Sequence, residues 1–291
     1  MGADAAGPLV TGEWLATHLG EPNLRVVHVS VDRDAYAKTH IPGAVYVDLH
    51  VDLAKPGVRP ETATARRVYI VPTREEVAAS LRSWGVEPGD HVVFYDDVGQ
   101  GRHAIRGYWL LRLYRFPGEH LHVLDGGLDF WLKEGRSTTA EPTAPEPAQT
   151  TETLGDRDDS LIATAEQVRA WSEEASAAGG PTRLLDVRLI DEFLGIDVRA
   201  ARGGRIPGAE HRNFTDLIAA DGRLRPATDV RAILAGTGVE PGELRATYCQ
   251  GGIRAALVWF SLHELAGLTE VRNYAGSWEE WGNRPDMPVE R

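Results

Sequence analysis

The stretch best suited to covalent chemistry is Ala246-Thr247-Tyr248-Cys249-Gln250-Gly251-Gly252-Ile253-Arg254, which holds the only cysteine of the chain. Leu244 to Tyr248 carries β-branched and aromatic residues and reads as a strand. Ala255 to Ala266 has no Gly or Pro and is long enough for about three helical turns. A cysteine between a strand tip and a glycine-led helix start lets backbone N–H groups converge on its sulfur, at the positive end of the helix dipole. In such surroundings a thiol pKa of about 8.5 falls to roughly 3.5–7.5, which makes a thiolate nucleophile at neutral pH. A lone cysteine in an arbitrary sequence is more often a small buried core residue. Here the strand, the Gly251-Gly252 pair and Arg254 at the loop's end favour the nucleophile. The candidate site is therefore Cys249 as catalytic residue, with Gln250, Gly251, Gly252, Ile253 and Arg254 lining it.

The elements that must position this loop are written twice. Val86-Glu87-Pro88-Gly89 recurs as Val239-Glu240-Pro241-Gly242. Under the same shift Val77, Ala79, Leu81, Gly85 and Tyr95 meet identical residues at 230, 232, 234, 238 and 248. His40-Ile41-Pro42-Gly43-Ala44 echoes Arg205-Ile206-Pro207-Gly208-Ala209, and Leu124 to Trp131 echoes Tyr274 to Trp281. Echoes in one order over a long period indicate a duplicated domain, not a solenoid. Each copy reads as a Thr-capped helix (Thr11 or Thr164), then a strand (Arg25–Val31 or Leu184–Arg188) and the Ile-Pro-Gly turn. A helix follows (Arg74–Trp84 or Thr228–Leu234), then a strand (His91–Tyr95 or Leu244–Tyr248), a helix and a last strand (Leu121–Leu124 or Val271–Tyr274). Alternating strands and helices imply an α/β fold with parallel sheets flanked by helices. Ligands in such folds bind beyond the carboxyl ends of the strands, where Cys249 falls.

The division expected is a first domain over 1–138, a linker over 139–160 and a catalytic second domain over 161–291. Arg136 to Ser160 is rich in Pro, Thr and acid, and reads as an extended, docked linker. The copies differ at the key position, because Asp96 aligns with Cys249 and its loop to Arg106 is twice as long as that from Cys249 to Arg254. A carboxylate repels an anionic substrate, so the first copy is expected to be catalytically silent. Its Arg102 and His103 are expected to lend positive charge to the other copy's substrate site, with solvated loop residues as the alternative.

Composition narrows the partners. A formal net charge of −12 opposes binding to nucleic acid or an anionic membrane. No apolar run approaches the length that spans a bilayer, and MGADAAGPLV has no signal-peptide pattern, which leaves a cytoplasmic address as the expectation. One cysteine excludes an intramolecular disulfide, and ten scattered histidines without an H-x-x-x-H pair lead to no metal and no cofactor being expected.

Through these residues the chain resembles the tandem-domain rhodanese sulfurtransferases over essentially its whole length. The resemblance rests on Ile-Pro-Gly-Ala at 41–44 and 206–209, Cys-x-x-Gly-x-Arg at 249–254, Gly-Ser-Trp-x-x-Trp at 276–281, and a first copy with Asp in place of Cys. It implies two rhodanese-like domains and a persulfide carried on Cys249. The thiolate would take the outer sulfur of thiosulfate and pass it to cyanide or a thiol, a ping-pong reaction on small molecules by a monomer. Arg254 would bind a sulfonate oxygen or, the favoured reading, pin the loop to a carboxylate. Asp186 and Arg188 also match family positions: Arg188 as a substrate ligand or half of an ion pair, Asp186 as its support. The chain departs from the animal enzymes with Gly251 where they have a basic residue, and with Glu192 where they have a substrate-binding Arg. The mercaptopyruvate-using branch typically shows Cys-Gly-Ser-Gly-Val-Thr, which Gln250 and Arg254 do not match, so 3-mercaptopyruvate is the second donor considered. A cysteine phosphatase or arsenate reductase needs a Cys-x5-Arg loop where this chain has Cys-x4-Arg, and a non-catalytic sulfur-binding module would have no reason to keep Cys249.

Overall fold

The computed structural model describes residues 6–57, 68–149, 154–178, 182–237 and 243–291. The repeated Val239 to Gly242 and linker residues 150–153 lie outside them. The chain forms two units, the first from Met1–Lys55, Val71–Asp158 and Ala219–Leu224, the second from Pro56–Ile70, Asp159–Ile218 and Arg225–Arg291. Two short segments thus leave the copy in which they are written. The Tyr69 N–H donates to Glu279 Oε2 at 3.0 Å in the second unit, and the Leu224 N–H to Asp125 Oδ1 at 3.0 Å in the first. These bonds join residues far apart in sequence, which no local pattern announces.

The first unit contains β1 (Leu9–Val10), α1 (Gly12–His18), β2 (Leu24–Ser30), α2 (Arg33–Lys38), β3 (Val45–Asp48), α3 (Arg74–Ser83), β6 (His91–Asp96), α4 (Arg102–Leu113), β7 (Leu121–Leu124) and α5 (Gly127–Lys133). The short pair β4 (Lys55–Gly57) and β5 (Val68–Ile70) forms its own two-stranded sheet. Two of its helices start at side-chain caps. Thr11 Oγ1 accepts the Trp14 N–H at 3.1 Å, and Thr73 and Glu76 form a reciprocal capping box. The main sheet runs β1-β7-β6-β2-β3 with every pair parallel. Val26, Val27 and Val29 of β2 and Val92 to Tyr95 of β6 are all buried, as central strands covered on both faces require.

The second unit repeats the plan with α6 (Ala165–Ala178), β8 (Leu184–Asp186), α7 (Ile190–Phe193), β9 (Glu210–His211), α8 (Ala227–Ala235), β10 (Ala246–Tyr248), α9 (Ile253–Phe260), β11 (Arg272–Asn273) and α10 (Ser277–Trp281). Its parallel sheet runs β11-β10-β8-β9. Ile162 bridges Asn273 in parallel at the β11 edge, where β1 lies in the first unit. Thr164 and Gln167 cap α6 reciprocally, at 3.0 and 3.2 Å. The strands are shorter than the sequence suggests. The helix after Cys249 is α-helical only to Phe260 and widens to a π turn over Ser261–Leu265.

The repeat is also a repeat of packing. Ile41, Tyr95, Leu124 and Trp131 lie in one core, and their counterparts Ile206, Tyr248, Tyr274 and Trp281 in the other. Burying each such side chain contributes about 1.5–3 kcal/mol. The Ile-Pro-Gly turn anchors a tyrosine in both units. The Ile41 N–H donates to Tyr95 Oη at 3.0 Å, and the Ile206 N–H to Tyr248 Oη at 3.2 Å. That bond fixes the tyrosine directly before Asp96 or Cys249. Residues of the expected linker are bonded within the first unit, where the Ala148, Gly155 and Asp158 N–H groups donate to the carbonyls of Arg82, Tyr114 and Leu113. No helix among the described residues is long and apolar enough to cross a membrane.

Candidate active site

Cys249 directly follows β10, the strand between β8 and β11, so its position at the carboxyl edge follows from the parallel order. Gly252 starts α9 with φ +80°, a left-handed conformation open to glycine without strain. This turn aims the Gly252 N–H at Cys249 Sγ, 3.1 Å away. Asn273 Nδ2 holds the Gly252 carbonyl from behind at 3.2 Å, and Thr247 Oγ1 donates to the Ala255 carbonyl at 3.1 Å. The sulfur is not open at a mouth as its place in the sequence suggests: Cys249 is 1 % exposed. Among the described residues, no hydrogen bond from the amides of Gln250, Gly251, Ile253 or Arg254 reaches it.

Replacing Gly252 tests the turn. A Cβ there would stand 2.6 Å from the Ala275 carbonyl oxygen, on a backbone other residues rarely adopt. Gly252→Ala is expected to cost about 1–3 kcal/mol and, by turning its amide off the sulfur, to lower sulfur-transfer kcat by about 10²-fold. Thermal unfolding and steady-state rates check the two effects separately.

The sequence reading missed Ser277. Its hydroxyl accepts the Cys249 N–H at 3.0 Å, donates to the Tyr274 carbonyl at 2.8 Å and lies 4.0 Å from Sγ. Ser277 has φ +53°, and its counterpart Gly127 has φ +56°. A serine held where the other copy uses glycine is the signal that could have found it, since strain of this kind gathers at functional sites.

Arg254 meets a carboxylate. Its guanidinium pairs with Glu192 in fork geometry, Nη1 to Oε2 at 2.6 Å and Nη2 to Oε1 at 2.9 Å. Burial opposes the charge on each partner, but the pair outweighs it. Arg254 is held above its ordinary pKa by Glu192 and then Cys249, and the Glu192 carboxyl is kept below its ordinary range chiefly by Arg254. Glu192 thus explains its own departure from the family pattern as the anchor of the loop. Arg188 is engaged as well, with Asp186 at 2.6–3.1 Å, the Gly204 carbonyl at 2.8 Å and the Trp278 ring 4.6 Å away. Its side chain is 1 % exposed, so of its two expected roles, substrate ligand or half of an ion pair, the structure displays the ion pair. Arg188 also lies beyond the end of β8, so the pair meets across a bend. Gln250 Nε2 donates to the Arg199 carbonyl at 3.2 Å. Gly251 faces the Tyr69 ring, 2.5 Å from where a Cβ would be, with Glu279 Oε2 at 3.2 Å. A basic side chain has no room at 251, which accounts for the second departure.

In the first unit, Asp96 Oδ2 accepts the N–H groups of His103 at 2.9 Å and Ala104 at 3.3 Å. Burial raises its pKa to about 7, against the pull of those amides. His103 is pushed down to about 4 by burial and then by Arg102, so it is neutral at pH 7 and does not supply the positive charge expected of it. Arg102 Nη1 donates to Gln100 Oε1 at 3.3 Å. Because the folded pKa of Asp96 lies above the unfolded one, its stabilisation is full at acid pH and lost as pH rises through about 7. Between pH 5 and pH 8 the protein is expected to lose roughly 2–3 kcal/mol more stability than Asp96→Asn. Urea unfolding of both proteins at the two pH values checks this.

Comparison with known proteins agrees with the geometry. The rhodanese-like domain family matches twice, over residues 11–134 and 164–284. A Haloferax volcanii protein named thiosulfate sulfurtransferase is 34% identical, with 97% of this chain and 96% of that one covered. A Pseudomonas aeruginosa protein named 3-mercaptopyruvate sulfurtransferase is 35% identical, with 98% of each covered. Among solved structures, a variant of EanB with ergothioneine covalently linked to a persulfide cysteine superposes with a TM-score of 0.76 at 25% identity, covering 97% of this chain and 70% of that one. Two family matches in tandem, and full-length relatives at this identity, mean that the chain belongs to the rhodanese family of sulfurtransferases.

Proposed function

We propose that the protein transfers sulfane sulfur from thiosulfate to a thiophilic acceptor through a persulfide on Cys249. The Cys249 thiolate attacks the outer sulfur, the S–S bond of thiosulfate breaks, and sulfite leaves with the bonding electrons. A nucleophile such as cyanide then attacks the terminal sulfur of the persulfide, giving thiocyanate and restoring the thiolate. The observation that carries this reading is the Gly252 N–H on Cys249 Sγ. It supplies a donor for an anionic sulfur where the α9 dipole also favours negative charge. The first-turn N–H groups of Ile253 and Arg254 precede any helical carbonyl and suit the added sulfur. Near-complete burial of Cys249 favours a slim, terminal sulfur over a tetrahedral phosphate ester. Within this reading, residues 1–138 form a silent domain, because Asp96 has no nucleophilic sulfur, 139–160 a linker and 161–291 the catalytic domain.

A second donor, 3-mercaptopyruvate, is favoured by the Pseudomonas relative and by the engagement of Arg254 and Arg188 with carboxylates. Initial rates with each donor at equal concentration decide between them, with cyanide as acceptor. The expected result is faster thiocyanate formation from thiosulfate, with an intact-mass gain of about 32 Da, one sulfur, before acceptor is added. A faster rate from 3-mercaptopyruvate would replace the donor. Absence of the mass gain with both would reject the persulfide.

A further inference from the structure

The Cys249 loop is held from two sides, and Tyr69 of β5 sits at the residue between them. On one side the carbonyls of Cys249 and Gln250 accept the Trp278 and Glu279 N–H groups at 2.9 and 2.8 Å. These are first-turn amides of α10, which precede any helical acceptor. On the other side Gly252 is held by Asn273 and by the close approach of Ala275. Gly251 lies between, and the Tyr69 ring packs on it. A Cβ at 251 would stand 2.5 Å from Cδ2 of that ring and 3.2 Å from Cε2. The Gly251 carbonyl and the Gly252 nitrogen belong to one planar peptide. Whatever holds Gly251 therefore sets the direction of the N–H that meets Cys249 Sγ at 3.1 Å.

We propose that Tyr69 is a positioning residue for sulfur transfer: its ring, pressed on Gly251, keeps the Gly251–Gly252 peptide turned so that the Gly252 N–H points at Cys249 Sγ. This role presupposes the persulfide chemistry of Cys249. Tyr69 is tied to the same framework as the loop. Its N–H donates to Glu279 Oε2 at 3.0 Å, while the Glu279 N–H donates to the Gln250 carbonyl at 2.8 Å. Glu279 thus joins the residue before Gly251 to the residue packed on it. Burial and then Glu279 raise the pKa of the phenol above its ordinary value, so the ring meets the loop uncharged and acts through shape. The Gly251 backbone lies outside the left-handed region, so it is its neighbours, the ring foremost, that exclude a side chain there. The two copies differ at this point. The shift that pairs Val77 with Val230 sets Tyr69 against Gly222, in a segment that belongs to the unit without the cysteine. The aromatic ring goes with the nucleophile.

The test compares full-length Tyr69→Ala, Tyr69→Phe, Gly251→Ala and the double variant Tyr69→Ala/Gly251→Ala. Each is assayed with whichever of thiosulfate and 3-mercaptopyruvate loads the wild type, and with cyanide as acceptor. Tyr69→Ala removes the ring but keeps the N–H on Glu279, so the variant should fold, which thermal unfolding checks. It should lower kcat by about tenfold or more with the donor KM within about twofold, since a misdirected donor is felt in the transition state and not in binding. Tyr69→Phe keeps the ring and should stay within about twofold of the wild type in kcat. Gly251→Ala should lose at least as much as Tyr69→Ala, because its methyl meets the ring. The double variant should be no slower than Tyr69→Ala alone, because the methyl then takes space the ring has left, whereas independent effects would multiply. Wild-type kcat in Tyr69→Ala, a Tyr69→Phe as slow as Tyr69→Ala, or multiplied losses in the double variant would overturn this role while the persulfide stands on the mass gain of the wild type. No mass gain in the wild type with either donor would overturn the persulfide and this role with it.

Discussion

Cys249→Ser is expected to lower cyanide-dependent thiocyanate formation by about 10³-fold or more, with circular dichroism and melting temperature close to wild type. The two side chains have nearly the same shape. Serine can accept the Gly252 N–H that now reaches Sγ at 3.1 Å, so the loop has no reason to rearrange. What disappears is chemistry: a hydroxyl does not ionise near neutral pH, and an oxygen cannot carry transferable sulfane sulfur. Wild-type protein should gain the mass of one sulfur on exposure to the productive donor, and the variant should not. A variant that still turns over at the wild-type rate would remove Cys249 from the mechanism.

The second large effect concerns the carboxylate behind the loop. Arg254→Ala leaves Glu192, whose side chain is 0 % exposed, without its bidentate partner. Its remaining contacts are the Leu189 N–H at 3.2 Å and Arg199 at 3.9 Å. Breaking a buried pair from one side costs about 3–5 kcal/mol, because the other charge stays out of water. At that cost the melting temperature should fall by roughly 10–20 °C. The sign with pH also follows. Arg254 keeps the Glu192 carboxyl below its ordinary pKa, so this pair stabilises the protein above the unfolded carboxylate pKa and loses that contribution as pH falls through the depressed value. The Arg254→Ala deficit should therefore be largest near neutrality and shrink in acid. A deficit that does not change with pH would mean that Arg254 acts through packing alone.

The duplicated plan, the parallel sheets and the Cys249 loop are legible in the sequence because they depend on short patterns. Ile-Pro-Gly, a strand ending in tyrosine and a glycine-led helix each encode local geometry, and repetition identifies them as one unit. The partners of the loop are not legible, because they come from elsewhere. Glu192 appears as a missing arginine until the fold brings it to Arg254, 62 residues away. Tyr69 is written in the first copy and packs on Gly251 in the second unit. The burial of Arg188 depends on Gly204 and Trp278, neither close to it in the chain. Ser277 lies between these cases, since comparing it with Gly127 singles it out but only coordinates give its hydroxyl a role.

The exchange of short segments has a consequence for truncation. A fragment cut within the linker and starting at 161 retains Cys249, Gly252, Arg254 and Glu192. It lacks β5, and with it the aromatic lid over Gly251 and the N–H that holds the Glu279 carboxylate. A fragment ending at 138 lacks the backbone donor that Leu224 gives to Asp125. The gene can be divided at its internal repeat, but the bounds of the two folded units do not follow that division, so such a cut removes from each a short segment that belongs to it.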